Sequence, residues 1–359
     1  MKRPRMKVLT VVGARPQFIK AWPVGRALRE AGIDEHLVHT GQHYDERMSQ
    51  VFFEEMGIRR PDQNLDVGSA SHGMQTGRML EALERVMIDQ RPDWALVYGD
   101  TNSTLAGALA ACKLGIPIAH VEAGLRSFNR SMPEEHNRVL TDHCSELLLC
   151  PTQTAVDNLA REGVTRRVHL VGDVMYDAVL HFGAMARERS RILEECRAGD
   201  GGYYLATIHR AYNTDGGERL LALLRALDEL DAPVVLPLHP RTRARLTEHA
   251  PRTAFSRLRL IDPVGYLDML RLEQGARAII TDSGGVQKEA YFFGVPCFTL
   301  RPETEWVETL ASGWNTLVGD DASALRRIVP EFRRPSTQQP PLYGTGDAAQ
   351  RIAALLLDR

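Results

Sequence analysis

Short runs of Val, Ile and Leu alternate with longer stretches of helical period along the whole chain, and few folds accept that rhythm. In the first half the runs are Lys7–Val12, Leu37–His39, Ala95–Tyr98, Ile118–Val121, Leu147–Cys150 and His169–Val171. Apolar runs of this length, separated by helices, describe parallel strands covered on both faces. The rhythm restarts after a helical stretch at Tyr176–Cys196 and a Gly/Asp break at Gly199–Gly202. The second set is Tyr204–Ile208, Val234–Leu238, Leu258–Ile261, Ala278–Thr281, Cys297–Leu300 and Thr316–Val318. A chain of 359 residues exceeds what one core usually serves. The pattern therefore predicts an α/β protein of two doubly wound, Rossmann-like domains, residues 1–172 and 173–345, joined near Gly172-Asp173. The apolar face of Ala348–Leu357, within residues 346–359, is expected to pack back on the first domain.

Open parallel sheets bind ligands beyond the carboxyl ends of their strands. The residues that follow these runs are polar: Arg15 and Lys20 after the first, Asp100 after Tyr98-Gly99, Glu122 after Val121, His209 and Arg210 after Ile208, and Ser283 after Thr281. Two such crests facing one another would form an interdomain cleft. Singly, each residue has a plainer explanation: Arg15 could pair on the surface, Asp100 could cap the helix starting at Thr101-Asn102-Ser103, and His209 could satisfy a loop carbonyl.

Asp282-Ser283-Gly284-Gly285-Val286-Gln287-Lys288-Glu289 is the most informative of these junctions. Its glycines let backbone N–H groups approach a ligand, a helix N-terminus carries partial positive charge, and Ser283 adds a hydroxyl. Glu289, under two turns later, is placed to accept hydrogen bonds from ribose hydroxyls. A nucleoside diphosphate site and a simple turn with an N-cap fit this segment equally well on its own.

Composition narrows the chemistry. A net charge of −2, with 43% hydrophobic and 25% charged residues, gives no electrostatic reason to expect nucleic acid or an anionic membrane. No run approaches the ~20 apolar residues of a membrane span. The apolar Val8–Val12 stretch behind the basic N-terminus is too short for a signal sequence. Five scattered cysteines without a C-x-x-C pair read as reduced thiols of a cytoplasmic protein. Neither G-x-G-x-x-G nor G-x-x-x-x-G-K-[ST] occurs, and there is no G-x-S-x-G elbow or D-x-D pair. His39 and His43 straddle a strand end, which suits hydrogen-bonding loop histidines better than zinc ligands. An enzyme acting on a nucleotide diphosphate without metal or cofactor is expected.

Six ordered motifs then carry a family resemblance across nearly the whole chain. Val12-Gly13-Ala14-Arg15-Pro16-Gln17-Phe18-Ile19-Lys20, His39-Thr40-Gly41-Gln42-His43-Tyr44-Asp45, Tyr98-Gly99-Asp100-Thr101-Asn102-Ser103, His120-Val121-Glu122-Ala123-Gly124-Leu125-Arg126, Met132-Pro133-Glu134-Glu135-His136-Asn137-Arg138 and Asp282–Glu289 resemble the non-hydrolysing UDP-N-acetylglucosamine 2-epimerases. The resemblance implies a glycosyltransferase-B-like domain pair, UDP held chiefly by the second domain, a homodimer, and interconversion of UDP-GlcNAc with UDP-ManNAc. Two departures stand out. The family's usual His-Arg-x-Glu-Asn reads His209-Arg210-Ala211-Tyr212-Asn213, and Arg301-Pro302-Glu303-Thr304-Glu305-Trp306 resembles the branch that includes epimerases of UDP-2,3-diacetamido-2,3-dideoxyglucuronate. A pathway to cell-surface polysaccharide or to a secondary metabolite such as an antibiotic would suit either sugar.

The implied reaction dictates its own mechanism. C2 is not next to a carbonyl, so its proton is scarcely acidic. Loss of that proton together with departure of UDP from C1 gives a 2-acetamidoglucal, and re-addition with protonation from the other face inverts C2. Donors on the diphosphate and carboxylates near C1–C2 are then needed. On this resemblance Asp100, Glu122 and Glu134 form the carboxylate cluster, with His209 acting beside them on the leaving group. Arg15, Lys20, His209, Ser283, Gly284, Gly285 and Arg138 bind UDP, and Glu289 binds ribose. Lys20 and Arg138 are equally readable as helix-surface cations paired with neighbouring acids. A glycosyltransferase would share the fold and the Ser283–Glu289 site without needing the three carboxylates together.

Overall fold

The computed structural model describes residues 5–42, 56–238, 240–249, 255–319, 321–335 and 339–358. They divide into two compact units, Met1–Leu180 with Pro341–Arg359, and His181–Pro340. The division falls inside the helix Val174–Arg189, just beyond Gly172-Asp173.

The first unit holds a parallel sheet of seven strands, β1 (Lys7–Val12), β2 (Asp34–His39), β3 (Gln63–Asn64), β4 (Trp94–Tyr98), β5 (Ile118–Val121), β6 (Leu147–Cys150) and β7 (Val168–Leu170). Their order is β3-β2-β1-β4-β5-β6-β7. Every residue of β4, β5 and β6 is buried, as helices on both faces require. β3 is the strand that the apolar runs do not announce. It is a two-residue, exposed, polar edge, so burial leaves no periodic mark on it.

The second unit repeats the plan with β8 (Tyr204–Thr207), β9 (Val234–Pro237), β10 (Leu258–Ile261), β11 (Ala278–Thr281), β12 (Cys297–Thr299) and β13 (Asn315–Leu317). Its order is β10-β9-β8-β11-β12-β13. Both sheets are thus Rossmann-like and doubly wound, with the strand order reversing between β1 and β4 in one and between β8 and β11 in the other. Strands pass in register across each reversal: Val8 pairs with Trp94, and Ala278 with Tyr204. Those reversals leave a crevice at the carboxyl ends, because the connecting helices on either side depart to opposite faces.

The C-terminal helix Ala348–Leu357 packs on the helix Arg15–Glu30 of the first unit. Ala349 N–H and Ala348 N–H donate to the Asp177 carboxylate at 2.8 and 3.3 Å, which satisfies two donors that a helix start leaves unpaired. No described helix is long and apolar enough to cross a membrane.

Candidate active site

At the crest of the first sheet, the turn after β1 is tight. A Cβ on Gly13 would run into the hydroxyls of Ser103 and Thr40, so only glycine lets the chain enter the helix Arg15–Glu30 here. Gln17 then ties this turn to β4. Its Oε1 accepts from Gly13 N–H at 2.8 Å, and its Nε2 donates to the Tyr98 carbonyl at 2.7 Å. Arg15 opens the helix, and its side chain lies outside the described ones, as does His43. Lys20, one turn further, forms an ion pair with Glu122 at the end of β5. The cation lies at the crest and not on the helix surface.

Glu122 has φ +68°, a left-handed conformation that non-glycine residues seldom adopt. Its N–H is anchored to the Leu149 carbonyl at 3.1 Å. The unusual backbone turns this carboxylate towards Lys20 and the open flank of Gly99, where a Cβ would come within 3.2 Å of Glu122 Oε2.

Asp100 does not cap the next helix. Thr101 does so, accepting from Thr104 N–H at 3.3 Å, and Asp100 pairs instead with Arg138. Arg138 also reaches Glu135 at 2.9 Å and is itself nearly buried. The Asp100 side chain keeps 31% exposure, enough for a ligand to reach it. Asn137 fixes the same corner by donating to the Asp100 carbonyl at 2.9 Å.

Of the acidic pair that opens the helix Pro133–Cys144, Glu135 is committed to the protein. It accepts from Ser127 N–H and Oγ and from Phe128 N–H, and these contacts with Arg138 hold its carboxyl below the usual range although burial opposes them. Glu134 stays half-buried in the first turn. Behind them, His120 lies between the Gly99 carbonyl and Asp142, at 2.7 Å from each, and Arg126 meets Asp142 at 2.7 Å and Glu162 at 2.7 Å. Burial alone would raise the Asp142 carboxyl. The His120 and Arg126 partners bring it below its ordinary value. His120, Glu135 and Asn137 stood within the motifs of the sequence without an assigned role, and Asp142 lay outside them. Asp142 carried no signal, since it looks like any polar residue in a helix.

The crest of the second sheet is organised by Asp282, which is fully buried. His209 N–H donates to it at 3.1 Å, Arg210 N–H at 3.0 Å, Asn213 Nδ2 at 2.9 Å, and His209 Nδ1 stands 3.0 Å from its other oxygen. Burial pushes this carboxyl up, but His209, Asn213 and the Arg210 amide outweigh it and the group sits below its usual range. His209 is therefore held by a carboxylate. Thr207 and Thr281 meet at 2.5 Å across the strand reversal.

Ser283 caps the helix Gly284–Phe292, so the first amides of that helix, at Gly284 and Gly285, have no carbonyl within the helix. A side chain at Gly284 would strike the Glu305 carboxylate. Glu305 pairs with Arg301 at 3.0 Å, and Lys288 lies 4.2 Å from the centre of the Trp306 ring. Glu289 is buried and accepts from the Tyr266 hydroxyl at 3.0 Å. Tyr212 uses a chemistry that glutamate lacks: its hydroxyl donates to the Leu300 carbonyl, and the Arg219 guanidinium covers its ring at 4.6 Å.

Known proteins resemble this chain over its full length. It is 51% identical over 363 residues to the UDP-2,3-diacetamido-2,3-dideoxy-D-glucuronate 2-epimerase of Pseudomonas aeruginosa, covering 98% of this chain and 99% of that protein. It is 49% identical over 355 residues to a UDP-N-acetylglucosamine 2-epimerase homolog of Methanococcus maripaludis, with the same coverage. The crystal structure of the Methanocaldococcus jannaschii UDP-GlcNAc 2-epimerase in complex with UDP-GlcNAc and UDP matches at a TM-score of 0.89 and 43% identity, covering 99% of this chain and 100% of that one. Residues 26–357 match the model of the UDP-N-acetylglucosamine 2-epimerase family, and with a Rossmann-like sheet in each unit and polar crests at both strand reversals, the chain belongs to that family.

Proposed function

We propose that this isomerase interconverts UDP-GlcNAc and UDP-ManNAc by elimination and re-addition of UDP through 2-acetamidoglucal. The observation that carries the proposal is the pair of carboxylates ending successive strands β4 and β5. Asp100 and Glu122 are each steadied by a cation, and Asp100 is partly open to a ligand.

In the forward direction a carboxylate takes the C2 proton while the C1–O bond breaks and its electrons leave with the UDP β-phosphate. In the return step the phosphate oxygen attacks C1 and a carboxylic acid delivers a proton to the opposite face of C2. Asp100 is the leading proton-transfer group, while Glu122 and Glu134 share the acid/base work or stabilise positive charge at C1. The amides of Gly284 and Gly285, the Ser283 hydroxyl, His209 and Arg15 hold the departing diphosphate, with Lys20 and Arg138 adding positive charge at the carboxylates. Glu289 accepts from the ribose hydroxyls. The first unit serves the reacting carbons and the second the nucleotide. We place the enzyme in the cytoplasm as a homodimer supplying a glycan or secondary-metabolite pathway.

Incubation with UDP-GlcNAc in D2O tests the proposal. UDP-ManNAc carrying deuterium at C2 is the expected product by NMR. Free ManNAc, acceptor-dependent UDP release, or no exchange would each defeat it. A second reading, a 2,3-diacetamido glucuronate as the sugar, draws on the 51% identity to the Pseudomonas aeruginosa enzyme. The same experiment with that UDP-sugar decides between them by relative kcat/KM.

A further inference from the structure

Glu273 lies two turns after Tyr266 on the helix Tyr266–Gly275, so the two side chains share a face. That face meets the helix Gly284–Phe292, which carries Glu289. Glu273 is fully buried, and neither of its oxygens has a donor among the described residues. The neighbouring titratable groups explain why. The Tyr266 hydroxyl is donated to Glu289 at 3.0 Å, the Tyr203 hydroxyl to the Leu272 carbonyl at 2.6 Å, and the Cys297 thiol lies near Thr299 at 3.9 Å. The charged group that acts on Glu273 is Glu289, which Tyr266 reaches at 3.0 Å from the same helix.

Two ionised carboxylates cannot share this space. Each would lack a donor where it meets the other, and their repulsion would be scarcely screened by water. A single proton resolves both defects, since a carboxylic acid donates to a carboxylate in a short, charge-assisted bond. The proton belongs on Glu273, because Glu289 already accepts from Tyr266 and is the better solvated anion. Burial and the Glu289 charge both push the Glu273 carboxyl well above its ordinary range.

We propose that Glu273 is a positioning residue: it carries a proton at neutral pH and donates it to Glu289, which together with the Tyr266 hydroxyl fixes the Glu289 carboxylate for the ribose hydroxyls. The inference rests on the ribose role given to Glu289 above. It adds a neutral acid to the nucleotide site, one that orients the carboxylate without touching the ligand.

Calorimetric titration with UDP and with 2′,3′-dideoxy-UDP separates the two ideas. Wild type and Glu273→Gln, which keeps a donor, should prefer UDP by about 10-fold, the weight of a hydrogen bond to a charged group. Glu273→Leu and Glu289→Ala should lose that preference. If Glu289→Ala keeps it, the ribose reading fails. If Glu289→Ala loses it while Glu273→Leu keeps it, or if Glu273→Gln behaves like Glu273→Leu, the ribose reading stands and the Glu273 inference is overturned. Infrared spectra of protein labelled with 13C-glutamate supply a readout that needs no ligand. At about pH 8 the wild type should show the carbonyl band of a protonated glutamic acid, diminished in Glu273→Gln. Absence of the band, or its full persistence in that variant, overturns the inference.

Discussion

At the strand reversal of the first sheet, acids end the strands and cations on helices answer them: Glu122 with Lys20, and Asp100 with Arg138. At the reversal of the second sheet the arrangement is inverted. The acid, Asp282, is wholly buried and turns inward to gather His209, Arg210 and Asn213, while a capped helix start presents amides outward. The same topology thus offers two kinds of surface. Paired side-chain charges suit proton movement, because a cation beside each carboxylate fixes its position at the strand end. Backbone amides suit an anion that must be held and released, because they are positioned by the fold and cannot titrate.

The largest effect should come from the first crest. Asp100→Asn keeps the shape and most hydrogen bonds but cannot transfer the proton, so turnover should fall at least ~100-fold while UDP affinity changes little. Steady-state kinetics beside calorimetry with UDP checks this. Near-normal epimerisation would remove Asp100 from the chemistry and erase the contrast between the crests.

The second crest should respond in the other observable. Ser283→Ala and Glu289→Ala each delete hydrogen bonds to the nucleotide, and UDP affinity should weaken by about 10-fold, with a smaller change in kcat at saturating substrate. Unchanged UDP affinity in both variants would move the nucleotide elsewhere.

Acid stability should distinguish the crests from their supports. Asp142 and Asp282 both have carboxyls held below the ordinary value, so the folded state releases their protons more readily than the unfolded chain does. Their contribution is present above the unfolded value, near pH ~4, and is lost as pH falls through their lower folded values. Asp142→Asn should therefore destabilise the protein at neutral pH, by on the order of 1 kcal/mol, and flatten the acid limb of its stability curve. Thermal melts between about pH 7 and pH 3 would show it. A variant whose acid limb matches the wild type would mean that Asp142 is not ionised in the fold.

What was legible in the sequence followed from local rules. Apolar runs such as Lys7–Val12, Ile118–Val121 and Ala278–Thr281 marked strands to the residue, because a strand covered on both faces is built mostly of apolar side chains. Other boundaries shifted by a residue or more. Leu37–His39 proved to be the end of Asp34–His39, whose polar start lies at the sheet margin. The strand-end positions of Asp100, Glu122, His209 and Ser283 were readable for the same reason, as was the helix start at Ser283-Gly284-Gly285.

Partnership was not readable, because it is set by side chains far apart in the chain. Nothing in Glu134-Glu135 says that the second is consumed by Ser127, Phe128 and Arg138 while the first is left half-buried. Nothing near Lys20 says that its partner is 102 residues away, or that Glu122 turns to it through a left-handed backbone. The sequence by itself determined the two sheets and the residues at their crests, since burial and turn chemistry act over a few neighbours. Which charges meet, and which carboxyl is buried with donors from three residues and which, like Glu273, with none among the described residues, was decided only when packing brought distant helices together and removed the water that would otherwise have served every group alike.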